Sequence, residues 1–254
     1  VRTPDDFGRM GQPPTHPDLL DYLAGEFVRR GWSMKKMHRF MMLTSAYQMS
    51  SRSEAARSQR DPENRLLHHV PVRRLEAEAI RDTILAVSGR LDRTLHGPSV
   101  LPYLTPYMEG RGRPASGPLD GEGRRSIYIN ARRNFPTPLL VAFDYPVDLN
   151  PKGHRAVSSV PDQALTLMND PFVMQQAGRW AERLRAEPGK TLAHRVDTLY
   201  RAAFARPASG SELREAQLFL EQQSRRHGCG LNDPKSWTDL CHVLINVKEF
   251  IFIN

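Results

Sequence analysis

Apolar residues return every three or four positions through most of this sequence, the spacing that gathers them on one face of a helix. The first such run holds Leu19, Leu20, Leu23 and Phe27. Thr15 as N-cap, Pro17 in the first turn and Asp18 behind it make a helix start, and Gly31 is a natural stop. Ser33 opens a second helix expected to turn Met34, Met37, Phe40 and Met41 inward, so the two form a helical hairpin. The polar residues 50–60 read as a surface loop. A third helix is predicted from Arg73 to Ser88, carrying Leu75, Ala79, Ile80, Ile84 and Val87.

From Gly97 to Gly123 the chain is crowded with Pro and Gly, which prevents long helices and ladder pairing. Residues 125–132 then alternate as a strand would, with Ile127, Ile129 and Ala131 on a core face and Ser126, Tyr128, Asn130 and Arg132 on the other. A short apolar segment, Leu139 to Phe143, leads to Asp144-Tyr145-Pro146 and a second irregular stretch. Helical spacing resumes after Pro161 in five runs: 164–168, 172–184, 192–204, 211–226 and 234–250. Asp170 before Pro171 marks a break and a new N-cap, and Ser209 caps the penultimate helix. The fold class is therefore mainly α, a multi-helix domain with a Pro/Gly-rich irregular centre, about eight helices and one or two short strands. Residues 1–96, 97–160 and 161–254 are its N-terminal helical, irregular and C-terminal helical parts, read together as one domain.

At 254 residues with 39% hydrophobic side chains, a sizeable core is within reach. No apolar run is long enough to span a membrane, and no charged-then-apolar stretch reads as a signal peptide. Because the chain opens Val1-Arg2-Thr3-Pro4 without an initiator methionine, we expect it to be part of a longer protein whose export signal lies upstream. The net charge of +8 raises the question of nucleic acid, which would require the excess to be gathered. Spread over successive stretches of about fifty residues it comes to +1 or +2 in each, so no nucleic-acid partner is expected. Of the two cysteines, Cys241 shares an apolar stripe with Trp237 and Leu244 and reads as a small core residue, although a bridge to Cys229 is open on sequence grounds.

Several strings form an ordered set: Asp5-Asp6-Phe7-Gly8, His16-Pro17-Asp18-Leu19-Leu20, Gly31-Trp32-Ser33, Asp61-Pro62-Glu63-Asn64-Arg65, Arg73-Arg74-Leu75-Glu76-Ala77-Glu78-Ala79-Ile80-Arg81-Asp82 and Gln163-Ala164-Leu165-Thr166-Leu167-Met168-Asn169. With Arg124-Arg125-Ser126-Ile127-Tyr128 and the closing Glu249-Phe250-Ile251, this set resembles a planctomycete-specific domain of unknown function found C-terminal in planctomycete cytochrome-c-type proteins. The resemblance covers essentially the whole chain. It implies an extracytoplasmic module, periplasmic or at the cell surface, whose partners are upstream domains of the same polypeptide, other exported proteins or an anionic ligand. Any haem would sit in an upstream domain. His68-His69 stands where the family pattern has an aromatic residue.

Chemistry within the chain is sparse. There is no Cys-x-x-Cys-His for covalent haem and no His-x-x-x-His or paired-Cys spacing for zinc, so no cofactor or metal is expected here. Neither a Gly-x-Ser-x-Gly elbow nor a P-loop occurs, and Gly110-Arg111-Gly112 opens no helix that could cradle phosphate. Glu76 and Glu78 diverge on a helix and are better placed for ion pairs with Arg73, Arg74 or Arg81 than for acid/base work. No catalytic residue is assigned. The one candidate constellation is Arg125, Tyr128, Arg132 and Arg133, with Asp144 and Arg155 further along. Guanidinium and phenol groups on one strand face suit a carboxylate, sulfate or phosphate, including that of an acidic glycan. The competing reading is structural: the arginines pair with carboxylates such as Asp144 or Glu78 and stitch the irregular centre to the helices.

Overall fold

The computed structural model describes residues 1–132, 134–146, 153–186 and 189–253, and about half of the chain is helical. Eleven helices occur among the described residues, several of them too short to be read from periodicity. Two compact units emerge, one of residues 1–73, 150–155 and 252–254, the other of residues 74–149 and 156–251.

The first unit contains α1 (Pro17–Arg29), α2 (Met34–Met42) and α3 (Ala55–Arg60). Pro17 begins α1 as expected, but the N-cap is His16, whose Nδ1 lies 3.0 Å from the Thr15 hydroxyl. Ser33 caps α2 by accepting from the Lys36 N–H. Of the α2 residues expected inward, Met37 is buried and Phe40 and Met41 half-buried, whereas Met34 is exposed. Met37, 8% exposed, is the only buried apolar residue among this unit's described residues. The expected surface loop contains α3, a helix with no buried residue, because its composition suits a solvated helix as well as a loop.

The predicted third helix starts later than expected. Arg73–Arg74 is extended, as β1, and helix α4 runs from Ala77 to Ser88. β1 pairs antiparallel with β2 (Phe252–Ile253), the two-stranded sheet of the structure. α4 buries Ala77, Ile80, Arg81, Ile84, Leu85, Val87 and Ser88, and Gly89 ends it in the left-handed region, where its N–H reaches the Leu85 and Ala86 carbonyls.

α5 (Pro138–Ala142), α6 (Pro161–Asn169), α7 (Pro171–Arg185), α8 (Leu192–Phe204), α9 (Gly210–His227) and α10 (Pro234–Asn246) complete the second unit with the short α11 (Lys248–Ile251). Asp170 caps α7 by accepting from the Phe172 N–H, and Ser209 with Glu212 forms a full capping box on α9. The predicted last helix, 234–250, breaks after Asn246 because Val247 is extended. The core is the α7–α10 pair. Val173, Ala177, Trp180, Ala181 and Leu184 of α7 and Trp237, Leu240, Cys241, Leu244 and Ile245 of α10 are all buried, and the two helices pack against each other. α4 packs on α7 and α5, sharing a buried hydrogen bond from Ser88 to Gln176 of 2.7 Å.

Residues 125–132 do not form the predicted strand. Ser126–Tyr128 is a single 3-10 turn closed by the Tyr128 N–H on the Arg125 carbonyl, and Ile127, expected in the core, is 74% exposed. What remains of the strand is one parallel bridge, Val100 with Ile129. Alternation specifies a strand only where a neighbour offers a ladder, and here that neighbour is the Pro/Gly-rich excursion itself.

Candidate functional site

The candidate residues fall in several settings, organised by a residue that sequence reasoning treated only as an ion-pair neighbour. Arg81 of α4, with its side chain 3% exposed, donates to the Asp120 carbonyl at 2.7 Å, the Arg124 carbonyl at 3.0 Å and the Ser126 hydroxyl at 3.2 Å. Its guanidinium also lies over the Phe172 ring, 5.3 Å from the centroid. Burial pulls its pKa down to about 10 against the opposing fields of Asp82 and Asp120, so it stays charged at neutral pH. Gly121 makes room for it: a Cβ there would lie 2.7 Å from Nη2, in a backbone at φ +58°.

Asp82, the next residue, accepts from both the backbone N–H and the hydroxyl of Ser126, each at 2.7 Å. These bonds pin the 3-10 turn. Asp120 in turn holds Arg90 through two donors, at 2.9 and 3.2 Å. Arg124 donates to the His96 carbonyl at 2.7 Å and stacks 4.0 Å over the Tyr128 ring, while the Tyr128 hydroxyl accepts from the His96 N–H at 2.7 Å.

Arg125 is exposed and, among the described residues, stands 3.9 Å from Asp82, a carboxylate of α4 and so of the helical kind foreseen for it, although not Glu78 itself. Tyr128 is committed to His96 and Arg124. Arg132 is exposed, without a side-chain partner among the described residues, and lines a cleft of about 210 Å³ with Ser126, Asn130, Phe135 and Tyr145. Arg133 lies outside the described residues, and Arg155 is an exposed residue of the first unit.

Asp144 sits in a second polar knot. It accepts from the Ser158 N–H at 2.7 Å, from the Ser158 hydroxyl, and from Arg74 at 2.6 Å, and Arg74 also reaches the carbonyls of Phe143 and Ser158. Burial opposes ionisation of Asp144, but the Ser158 N–H, the Arg74 guanidinium and the Ser158 hydroxyl outweigh it and hold the carboxyl below its usual range. Gln163 adds donors to Ser158 at 3.1 and 3.2 Å. Of this knot only Asp144 was a candidate in the sequence. A readable signal existed for Arg81: it occupies a helix column between Ala77 and Leu85, an apolar setting in which an arginine needs acceptors.

No cluster of three potential metal ligands occurs among the described residues. Cys229 and Cys241 are free thiols, and burial pushes the Cys241 thiol well above its usual range, so it is unreactive. Asp170, which caps α7, is raised by burial against the Phe172 and Val173 N–H groups. It lines a small cavity with Arg81 and Phe172 of only about 60 Å³. The polar groups of this region largely serve backbone acceptors; among the described residues two clefts stay open, the one beside Arg132 and a larger one of about 410 Å³ lined by Ser99, Ser116, Glu122 and Arg124. No helix among the described residues is long and apolar enough to cross a membrane.

No curated protein and no solved structure matches this sequence. A family model described as a protein of unknown function (DUF1553) matches residues 1–220, and the chain belongs to that family.

Proposed function

We propose that the chain is a non-catalytic structural or interaction module of a larger exported protein of the cytochrome-c-associated kind, acting outside the cytoplasm through upstream domains of its own polypeptide or other exported proteins. The observation that carries this reading is the use made of the charged centre. Arg74, Arg81, Arg90 and Arg124 spend their donors on backbone carbonyls and carboxylates of the same unit, an arrangement suited to fixing a surface rather than to turnover. Haem belongs, on this reading, to an upstream domain. Cys229 and Cys241 do not fit covalent attachment: His242 follows Cys241, but the two thiols are far from the Cys-x-x-Cys spacing and Cys241 is buried.

A second reading, capture of an anionic ligand such as an acidic glycan, is favoured by one observation: Arg132 stands at the cleft with no ion-pair partner among the described residues. Melting the chain in sulfate and in galacturonate separates the two. A specific anion at a hundred times its Kd adds about 2.7 kcal/mol. The module reading expects the same melting temperature shift, from general salt effects alone, in wild type and Arg132→Ala. A saturable rise in the wild type that Arg132→Ala abolishes would overturn it in favour of the anion site.

A further inference from the structure

We infer that the turn joining α1 and α2 is a docking surface for an anionic lipid bilayer. This goes beyond the module reading and rests on residues of the first unit alone. Averaging charge over fifty residues hides an asymmetry: all five carboxylates of residues 1–50 lie at or before Glu26, and from there to Glu54 none occurs. Arg29, Arg30, Lys35, Lys36, Arg39 and Arg52 fall in that gap.

The structure turns this into a local surface. Glu26 is buried, with its two oxygens taken by Arg29 and Arg30. Lys35, Lys36 and Arg39 are exposed and have no ion pair among the described residues. Interleaved with them are exposed apolar side chains: Val28 and Trp32 at the turn, Met34 at the start of α2, and Met42 and Leu43 at its end. Lys35, Arg39 and Met42 follow one another at helical spacing, so cations and an apolar side chain share one face.

Trp32 is the telling residue. It is 67% exposed, whereas Trp180 and Trp237 are 3% and 0% exposed. It holds φ +57°, directly after Gly31 at φ +71°, a backbone region costly for a bulky side chain. The conformation is fixed, because the Trp32 N–H bonds the Phe27 carbonyl at 3.0 Å, Phe27 packs edge-on against the indole at 5.3 Å, and Arg30 stacks on Phe40 at 4.3 Å. A tryptophan displayed this way beside unpaired lysines matches the interfacial region of a membrane, where the indole sits among headgroups and long cationic stems lie over acyl chains. A nucleic acid would use the cations and the indole but leaves Val28, Met34, Met42 and Leu43 unmatched. An acidic protein would need a complementary concave surface, whereas a bilayer needs only charge and apolar reach.

The experiment uses the whole chain with phosphatidylcholine vesicles, with and without one third phosphatidylglycerol. Co-sedimentation should occur only with the anionic vesicles and fall away in high salt. Tryptophan emission should shift to the blue on binding, and because the other two indoles are buried, the shift reports Trp32. Each cation contributes about 1 kcal/mol at such a surface, so Lys35→Ala/Lys36→Ala/Arg39→Ala should weaken binding roughly a hundredfold. Trp32→Phe should retain binding but lose the spectral shift. All these side chains are exposed, and an unchanged melting curve checks that each variant is folded. The inference fails if anionic vesicles do not bind, if the triple variant binds as well as wild type, or if single-stranded DNA or polyglutamate at equal charge binds more tightly.

Discussion

Within the second unit, the α7–α10 pair and the segment from Arg90 to Arg132 are held in opposite ways. The helices satisfy their own backbone, so what they need from each other is apolar shape: Ala177 and Ala181 are buried on α7, Trp237 and Cys241 on α10. The central segment satisfies little of its backbone locally. Its contacts with itself are two bridged positions and scattered turns, and its carbonyls at Asp120, Arg124 and His96 are taken by guanidinium donors. One arginine brings five N–H groups in a planar fork, enough to close several acceptors at once. Buried arginine here replaces the ladder that Pro and Gly prevent. Apolar packing therefore sets the unit's global stability, while Arg81 and Asp82 set whether the central segment is ordered.

Two substitutions should break that contrast most strongly. Trp237→Ala empties the middle of the core and should cost about 3 to 5 kcal/mol, seen as a lower denaturation midpoint and loss of amide protection throughout the second unit. Arg81→Ala removes a buried charge and strands its acceptors, a loss of comparable or slightly smaller size, about 3 kcal/mol. The distribution differs. Hydrogen exchange should rise first at Asp92, Val100, Gly123 and Asn130, whose amides form the contacts of the central segment, with α7 and α10 still protected. Equal loss of protection everywhere in Arg81→Ala would show that the two regions form one cooperative unit.

The same division explains what could be read from sequence. Helix boundaries with local chemistry were legible: Asp170 before Pro171 caps α7, and Ser209 with Glu212 caps α9. The Trp237, Cys241, Leu244 stripe is buried as its spacing implied. The segment 125–132 was not legible, because its alternation is overridden by two bonds that Ser126 donates to Asp82, contacts 44 residues apart in sequence. The Arg125 group was expected to pair with Asp144 or with helix carboxylates such as Glu78, and Arg125 does face one of the latter, Asp82, though at 3.9 Å. Asp144 is instead saturated by Arg74 and Ser158, and which arginine reaches which acceptor depends on packing that spacing does not encode. Residues 27–53 escaped for a different reason: wide averaging balanced their cations against the carboxylates before them.

A third region mixes the two modes and should titrate. Arg206 holds Glu212 through two bonds of 2.8 and 2.9 Å and Glu249 through two more. Those bonds, aided by the Ser209 N–H and opposed by burial, bring the Glu212 carboxyl from 4.5 down to about 2. A carboxyl with a lowered folded pKa leaves the unfolded chain binding more protons, so its contribution is full above about pH 4.5 and fades as pH falls toward 2. Glu212→Gln should therefore melt below wild type at neutral pH, with the gap closing on acidification through that window. A gap independent of pH would assign the loss to the α9 cap and not to the ion pair.

The smallest effect should come from Arg125, the residue that the sequence placed at the head of its candidate cluster. A partly buried charge pair at that position would have cost several kcal/mol on truncation. Its side chain is instead 44% exposed and its Nε stands 3.9 Å from Asp82 Oδ2, beyond hydrogen-bond reach. Asp82 does not depend on it, since Ser126 supplies that carboxylate with two bonds of 2.7 Å. An exposed ion pair of this length contributes at most about 0.5 kcal/mol, and less as salt is added. Arg125→Ala should thus melt almost with wild type, while Asp82→Ala, which releases the N–H and hydroxyl of Ser126, should lower the transition clearly. If Arg125→Ala proved as damaging as Asp82→Ala, Arg125 would be a principal tie of the central segment, and the placement of that role on Arg81 and Asp82 would be wrong.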